Sequence, residues 1–389
     1  MSPLPHAEKP TVLSTLVATT PEVASAQALR PEVATLIEQA YGETFDSPGT
    51  LTTATRHGIA ALVARWHQHA AVYTLHVQAG ADDHLYTDAL PADESLRILV
   101  QHVDSVTVSA ALTTEADQQR LAAAGFSEDD VMLVSQIIAY TSFQIRYAFG
   151  LAILSGTAVE HTPAPARSIP VEGRTKEHRD LARNGRPRPN EYTRDTLSWT
   201  PWVAPAPIND LTEEQVEVLA GKTNGEYFRL LARQPKILKT RSAIDKAIFY
   251  GRGGLPRAER ELAAAATSKV TDCIYCASVH ARKSAQLSKR EDDVQRLLDQ
   301  TLIRDNRWLP ESIAPLAAGQ DARWTAIITA SAELASLPPR LSPESVDAAL
   351  AARLSLAEVL DVIGSTAFFT WANRLMLSLG EPFRPDPED

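Results

Sequence analysis

Apolar residues recur along most of this chain at the three- and four-residue spacing of an amphipathic helix. The clearest example is the row Val131, Val134, Ile137, Ile138, Thr141 and Ile145. Alanine, leucine, glutamate and arginine, which favour helices, dominate the sequence on both sides of its centre. No stretch alternates apolar and polar residues between turn signals, as a half-buried strand would. The pattern predicts an all-α fold.

Proline interrupts this pattern in the middle of the chain and predicts a proline-rich linker or extended arm over 158–208. The prolines are Pro163, Pro165, Pro170, Pro187, Pro189, Pro201, Pro205 and Pro207. The basic residues of this stretch are Arg167, Arg174, Lys176, Arg179, Arg183, Arg186, Arg188 and Arg194. Such a cluster can bind nucleic acid, but a solvated linker or an arm that wraps an acidic body is the favoured interpretation. Trp199 and Trp202 are expected to dock into a core.

The two halves that flank the arm resemble each other. At an offset of 204, residues 49–56 align with residues 253–260. Further matches are His76 with His280 at the same offset and, at an offset of 228, Asp93 with Asp321, Phe126-Ser127 with Leu354-Ser355, Val131 with Val359, Phe143 with Trp371 and Arg146 with Arg374. We therefore predict two copies of one helical domain, at 1–157 and 209–385, with about 24 extra residues in the second.

Charge and composition argue against several classes of function. The 389 residues carry a formal net charge of −10, and an acidic chain lacks the basic surface that phosphate contact needs. The first 20 residues show no basic region followed by an apolar segment, as a secretory signal would. Apolar runs are broken well before the length of a membrane span. We expect a cytoplasmic protein with no nucleic-acid or membrane partner.

The chain has only two cysteines, Cys273 and Cys276, which cannot form a disulfide framework. The preceding Thr271-Asp272 pair is typical of a helix N-cap, so one helix is expected to end near Val270 and another to start at Cys273. Positions i and i+3 of that helix place both sulfurs on one face. His280 follows one helical turn after Cys276.

Glu261 stands twelve residues before Cys273, which is about 18 Å along an unbroken helix. A break at residues 271–272 would fold the first helix back and let the carboxylate reach His280. The result is a Glu–His–Cys relay, in which the carboxylate orients the imidazole and the imidazole takes the thiol proton. The helix N-terminus favours the thiolate, whereas Asp272 opposes it. Structural cysteines and a metal site stay open as alternatives, although a second Cys-x-x-Cys for zinc is missing.

The spacing from Glu261 through Cys273 and Cys276 to His280 resembles the signature of the alkylhydroperoxidase AhpD family. That family lies in the carboxymuconolactone decarboxylase-like superfamily of all-α proteins. The resemblance covers 211–383 and includes the segments 227–232 and 255–262.

The resemblance implies a thiol-dependent peroxidase. Cys276 would attack the peroxide and become a sulfenic acid, and Cys273 would close the disulfide, with His280 and Glu261 as the proton relay. A thioredoxin-like or dihydrolipoyl protein would restore the dithiol. No haem, flavin or metal is implied, and family members assemble as trimers or hexamers, so a homo-oligomer is expected. Tyr275 occupies a position where AhpD proper often has a histidine.

Two other functions remain open. One is a lyase or isomerase of the decarboxylase branch, which typically lacks the Cys-x-x-Cys pair. The other is a non-catalytic thiol-disulfide sensor or assembly protein.

The first copy lacks the thiols and cannot perform dithiol chemistry. The positions of Glu261, Cys273, Cys276 and His280 are taken there by His57, His69, Val72 and His76. These histidines either form a metal or ligand pocket or, as favoured, belong to a decayed copy kept for assembly. Arg146 and Arg374 either bind a substrate carboxylate or, as favoured, make an ion pair at a helix–helix interface.

Overall fold

The computed structural model of the protein describes residues 11–167, 169, 180–221 and 223–386. The helices are α1 Val12–Leu16, α2 Pro21–Gln27, α3 Pro31–Phe45, α4 Thr53–Trp66, α5 Ala70–Gln78, α6 Asp83–Tyr86, α7 Glu94–Ser109, α8 Glu115–Ala123, α9 Glu128–Leu154, α10 Glu213–Leu219, α11 Glu226–Leu231, α12 Pro235–Tyr250, α13 Arg257–Val270, α14 Ile274–Ser288, α15 Glu291–Asp299, α16 Ala322–Ala335, α17 Pro343–Ala351 and α18 Leu356–Ser378. The prediction of an all-α fold is confirmed.

One short ribbon departs from the expectation that strands are missing. Strand β1 (Ser198–Pro201) pairs antiparallel with strand β2 (Gly380–Phe383). Four residues with a proline are too short and too irregular to show a strand pattern in the sequence. The ribbon ties the end of the arm to the segment that follows α18.

Most helices of the two halves start at matching positions. Helices α3 and α12 both start with a proline at the predicted offset of 204, and α7, α8 and α9 match α16, α17 and α18 at an offset of 228. Arg56 of α4 donates hydrogen bonds to the backbone carbonyl oxygens of residues 44 and 47. Arg260 of α13 donates in the same way to residues 248 and 251. These correspondences favour the prediction of two copies, which includes residues 1–10 outside the described part of the chain.

Helices α9 and α18 form the centre of the core, which contains buried residues of both halves. The Nε1 of Trp371 donates to Oε1 of Gln136 across this contact at 2.8 Å. A Cβ atom on Gly150 would lie 2.5 Å from the side chain of Ile363, so glycine permits the close approach of the two helices. Helix α9 is long and apolar enough to cross a membrane, but 89% of its apolar window is buried in the protein. It is therefore a core helix.

The arm lies against the helical body through ion pairs. Pro170 and the basic residues Arg174, Lys176 and Arg179, like the rest of 170–179, fall outside the described residues. In the described part, Arg167 pairs with buried Asp104 at 2.8 Å, and Arg188 approaches buried Glu381 at 3.3 Å. Trp199 is buried and donates to the carbonyl oxygen of Met376, which confirms its predicted docking. These contacts match the interpretation of an arm on an acidic body.

Candidate active site

The predicted break between two helices is present. Helix α13 ends at Val270, and Asp272 adopts a left-handed conformation with a φ of 62°. The N-cap of α14 is Cys273 itself, without a side-chain capping bond, so the prediction that Thr271-Asp272 caps this helix is wrong. The backbone N–H of Cys273 instead donates to the carbonyl oxygen of Ser268 at 2.8 Å. This turn folds α14 back against α13.

Both cysteines are reduced and buried, with 1% of Cys273 and 5% of Cys276 exposed. A hydrogen bond with Cys273, followed by burial, raises the pKa of Cys276 well above the usual thiol value. The nearby Arg241 guanidinium acts in the opposite direction. Resting Cys276 is therefore a thiol at neutral pH and needs a base to remove its proton as it reacts.

The turn brings Glu261 and His280 into contact, as the sequence spacing predicts. Oε2 of Glu261 lies 2.5 Å from Nδ1 of His280, and Arg257 donates to Oε1 of the same carboxylate at 3.0 Å. Burial raises the pKa of Glu261, but the bonds from His280 and Arg257 outweigh burial and lower it overall. The carboxylate is thus ionised at neutral pH and can orient the imidazole and stabilise its protonated form.

The His280 ring packs against an aromatic side chain. The ring of Phe369 stands edge-on to it with centroids 4.1 Å apart, and the histidine side chain keeps 20% of its surface exposed. Among the described residues, no hydrogen bond joins this ring to either sulfur. The last link of the relay, between imidazole and thiol, is part of the proposal below.

Three residues outside the motif lie near the dithiol or near His280, and the sequence analysis missed them. Arg241 and Asp245 lie on α12, and Tyr227 lies on α11. Arg241 is buried with its guanidinium 5.0 Å from the ring centre of Phe368, and its Nε has no hydrogen-bond partner in the described part of the chain. The hydroxyl of Tyr227 is also buried without a partner among these residues, and burial raises its pKa to about 12 against the effect of Arg241.

A signal for Arg241 is present in the sequence. It occupies the apolar face of α12 at helical spacing, between Ile237 and Ile244. A cation on a buried face is unusual and points to a local anion or a reactive group. Asp245, one turn later, has its pKa raised by burial, while Arg241 and His280 act to lower it.

The carboxylate of Asp272 accepts hydrogen bonds from the arm and from a loop. Tyr192 donates to one carboxylate oxygen, Trp308 Nε1 donates to the other at 2.7 Å, and Arg304 approaches at 3.7 Å. These partners offset the negative charge that the sequence analysis expects to oppose the thiolate. Tyr275, between the cysteines, has its pKa raised by burial and then by Cys276 and Cys273.

In the first half, the structure brings two of the three predicted histidines together. Nδ1 of His57 and Nδ1 of His76 lie 2.8 Å apart, at the positions that match Glu261 and His280. Burial lowers the pKa of both histidines, so a neutral pair shares one hydrogen bond. His69 caps α5 through a bond from the backbone N–H of Val72 at 3.3 Å.

No metal cluster forms from these histidines in the part of the chain that the structure describes. The group whose donor atoms converge there is Asp82, Asp83 and His84, which are mostly exposed. The favoured interpretation, a decayed copy kept for assembly, stays a prediction.

The comparisons with known proteins concern the half that carries the cysteines. Residues 235–305 match the model of the carboxymuconolactone decarboxylase family, so the predicted resemblance is confirmed for this segment. Among solved structures, the chain is similar to an alkylhydroperoxidase AhpD core, an uncharacterized peroxidase-related protein from Ralstonia eutropha JMP134. The identity is 22%, the TM-score is 0.37, and the match covers 47% of this chain and 92% of that chain. No curated protein matches the chain.

Proposed function

We propose that this chain, whose residues 235–305 match the model of the carboxymuconolactone decarboxylase family, is a dithiol peroxidase that reduces organic hydroperoxides or hydrogen peroxide. The observation that carries the proposal is the buried, reduced pair Cys273 and Cys276 beside the Glu261–His280 contact of 2.5 Å. A structural thiol pair needs no carboxylate-held imidazole one helical turn away. Dithiol chemistry uses such a base to form the thiolate.

The reaction proceeds in two steps, attack on the peroxide and formation of the disulfide. His280 takes the proton of Cys276, the sulfur attacks one peroxide oxygen, the O–O bond breaks, and the alcohol leaves with the proton that His280 returns. Cys276 is then a sulfenic acid. The thiol of Cys273 attacks this sulfur, the S–S bond forms, and water leaves. One peroxide is reduced to alcohol and water while two thiols are oxidised to a disulfide.

Turnover needs an external reductant, because the protein supplies only one pair of electrons per cycle. A thioredoxin-like or dihydrolipoyl protein would reduce the disulfide by thiol exchange. We also keep the predictions of a cytoplasmic protein and of a homo-oligomer, either a trimer or a pseudo-hexamer, as parts of the proposal.

Reduced protein without added reductant is expected to consume one equivalent of cumene hydroperoxide per chain. It should lose both thiols in a thiol titration, and its mass should fall by two hydrogen atoms as the disulfide forms. Addition of dithiothreitol should convert this single event into turnover. Protein alkylated with iodoacetamide before the assay is the control.

Consumption no faster than that of the alkylated control would refute the peroxidase. A disulfide that forms without turnover would instead indicate a thiol-disulfide sensor. Unchanged thiols together with activity on a lactone acid would indicate the decarboxylase branch.

Arg241 and Tyr227 are proposed to bind the peroxide and to stabilise the negative charge that develops on sulfur and oxygen. Their free donors lie beside Cys276 in a buried site, where such donors are most effective.

Tyr227→Phe is therefore expected to lower kcat/KM for cumene hydroperoxide about fivefold to tenfold, the value of one neutral hydrogen bond. The melting temperature should be unchanged or higher, because the variant removes a hydroxyl that has no partner. Tyr140→Phe is the matched control, since that hydroxyl donates to the carbonyl oxygen of Ile37 in the first half at 3.0 Å. The control should lose stability and keep activity. Full activity of Tyr227→Phe would contradict the role of the hydroxyl.

A further inference from the structure

A second, partly open site lies between the two halves, apart from the residues proposed to reduce peroxide. It is a cavity of about 80 Å³, bounded by residues 107–111 of the first half and by residues 335–340 and Arg374 of the second. This volume is several times the 10–15 Å³ that one water needs. A small organic molecule therefore fits in it.

Two buried arginines at matching positions, Arg146 and Arg374, line the cavity. Each donates to a backbone carbonyl oxygen of the other half at 3.0 Å, Arg146 to Ala335 and Arg374 to Thr107. The two acceptor residues, Thr107 and Ala335, are 228 positions apart, which is the same offset that relates the two arginines. The predicted interface position of both arginines agrees with these bonds, whereas the predicted ion pair is wrong, because both guanidinium groups donate to carbonyl oxygens and to no carboxylate of the described residues.

The interface role leaves positive charge uncompensated. Within the described residues, no carboxylate lies within ion-pair distance of Arg146 or Arg374, although buried cations are normally paired. Arg304 and the exposed Arg340 add further cations to the cavity wall. The nearest acidic partner is Asp272, which approaches Arg304 at 3.7 Å and is shared with two other donors.

The cavity also contains donors without acceptors. Arg374 is 5% exposed and Thr107 is 1% exposed, yet Nε of the arginine and Oγ1 of the threonine have no hydrogen-bond partner among the described residues. Arg146 donates to the carbonyl oxygens of residues 142 and 334–336, whereas Arg374 makes two such bonds within the same part of the chain. Both residues line the cavity, so a ligand oxygen placed against either side chain would give an orphan group a partner.

The remaining wall is apolar and includes Leu309, Pro310, Leu337 and Leu377. One cationic end with free donors and one apolar end define a ligand with an acid group and a short hydrocarbon tail. We propose that this cavity binds a short-chain monocarboxylate, with the carboxylate on Arg374 and Thr107 and the tail between the leucines. A doubly charged, strongly hydrated anion does not fit the apolar end.

Calorimetric titration of the full-length protein tests this site, with butyrate as the probe. Butyrate is expected to bind at least tenfold more tightly than butyramide, which has the same shape without the charge. Arg340→Ala and Thr107→Val should each weaken butyrate binding at least threefold, and Arg374→Gln at least tenfold. Arg97→Ala, which changes an exposed arginine on α7, is the matched control and should leave binding unchanged.

Several results would overturn the assignment. They are butyrate binding that Arg340→Ala and Thr107→Val leave unchanged, equal binding of butyramide, and binding of inorganic phosphate in place of butyrate. If Arg374→Gln does not fold, the other two variants decide, because one is exposed and the other nearly preserves the shape of its side chain. The titration needs no catalytic turnover, so failure of the peroxidase proposal would not affect it.

Discussion

Cys276→Ser is expected to reduce the consumption of cumene hydroperoxide to the uncatalysed background, a fall of about a thousandfold or more. The serine hydroxyl is close in size to the thiol but does not form a nucleophilic anion at neutral pH. The site should otherwise stay intact, because Cys276 is held by the first turn of α14 and by packing rather than by a disulfide. Initial rates with dithiothreitol in excess measure this change.

Cys273→Ser is the matched variant, and it should fail at a different step. Cys276 can still attack the peroxide, so one equivalent is consumed and a sulfenic acid accumulates, which dimedone can trap and mass spectrometry can locate. The resolving thiol is missing, so no disulfide forms within the chain. The pair of variants therefore separates attack from resolution.

A reversed pattern would contradict these roles. The hydrogen bond with Cys273, followed by burial, raises the pKa of Cys276, so the two variants test which thiol attacks. If Cys276→Ser still forms a sulfenic acid at Cys273, then Cys273 is the attacking residue. If neither variant changes the rate, the chemistry does not use this dithiol.

The sequence could predict the parts of the site that are encoded by local spacing. A break after Val270 and the distances along the chain from Glu261 to His280 suffice to bring the carboxylate to the imidazole, since helix geometry fixes their positions on a two-helix hairpin. Arg241 and Tyr227 could not be assigned in this way. They come from α12 and α11, whose approach to α14 depends on tertiary packing.

The same limit applies to the first half. Matching the two halves predicts that His57 and His76 take the places of Glu261 and His280, and the 2.8 Å contact between their Nδ1 atoms agrees with that match. The charge of these groups cannot be predicted from their matching positions, however. Two buried histidines both have lowered pKa values and form a neutral pair, whereas an ionised carboxylate holds His280. The scaffold is shared, and the side chains decide which half can move a proton.

Glu261→Gln is expected to lower kcat/KM at pH 7 about a hundredfold, near the lower end of what general acid–base catalysis contributes. The amide can still accept a bond from His280, but it carries no charge to stabilise the imidazole after it takes the thiol proton. Because the pKa of Cys276 lies well above its usual value, hydroxide removes this proton more readily as the pH rises. The defect should therefore shrink between pH 7 and pH 9.

The contribution of Glu261 to the stability of the fold should instead grow as the pH rises. The folded protein lowers the pKa of Glu261 below 4.5, so its ionised form stabilises the fold above that value, and this contribution is lost as the pH falls through the folded pKa. The melting temperatures of wild type and Glu261→Gln should differ at pH 7 and converge in acid. Glu259→Gln is the control that should lose stability and keep activity, because Glu259 lies two residues before Glu261 on α13 and pairs with Arg323 at 2.7 Å. A rate defect in Glu261→Gln that is the same at every pH would mean that the carboxylate only supports the fold, and the relay would have to be abandoned.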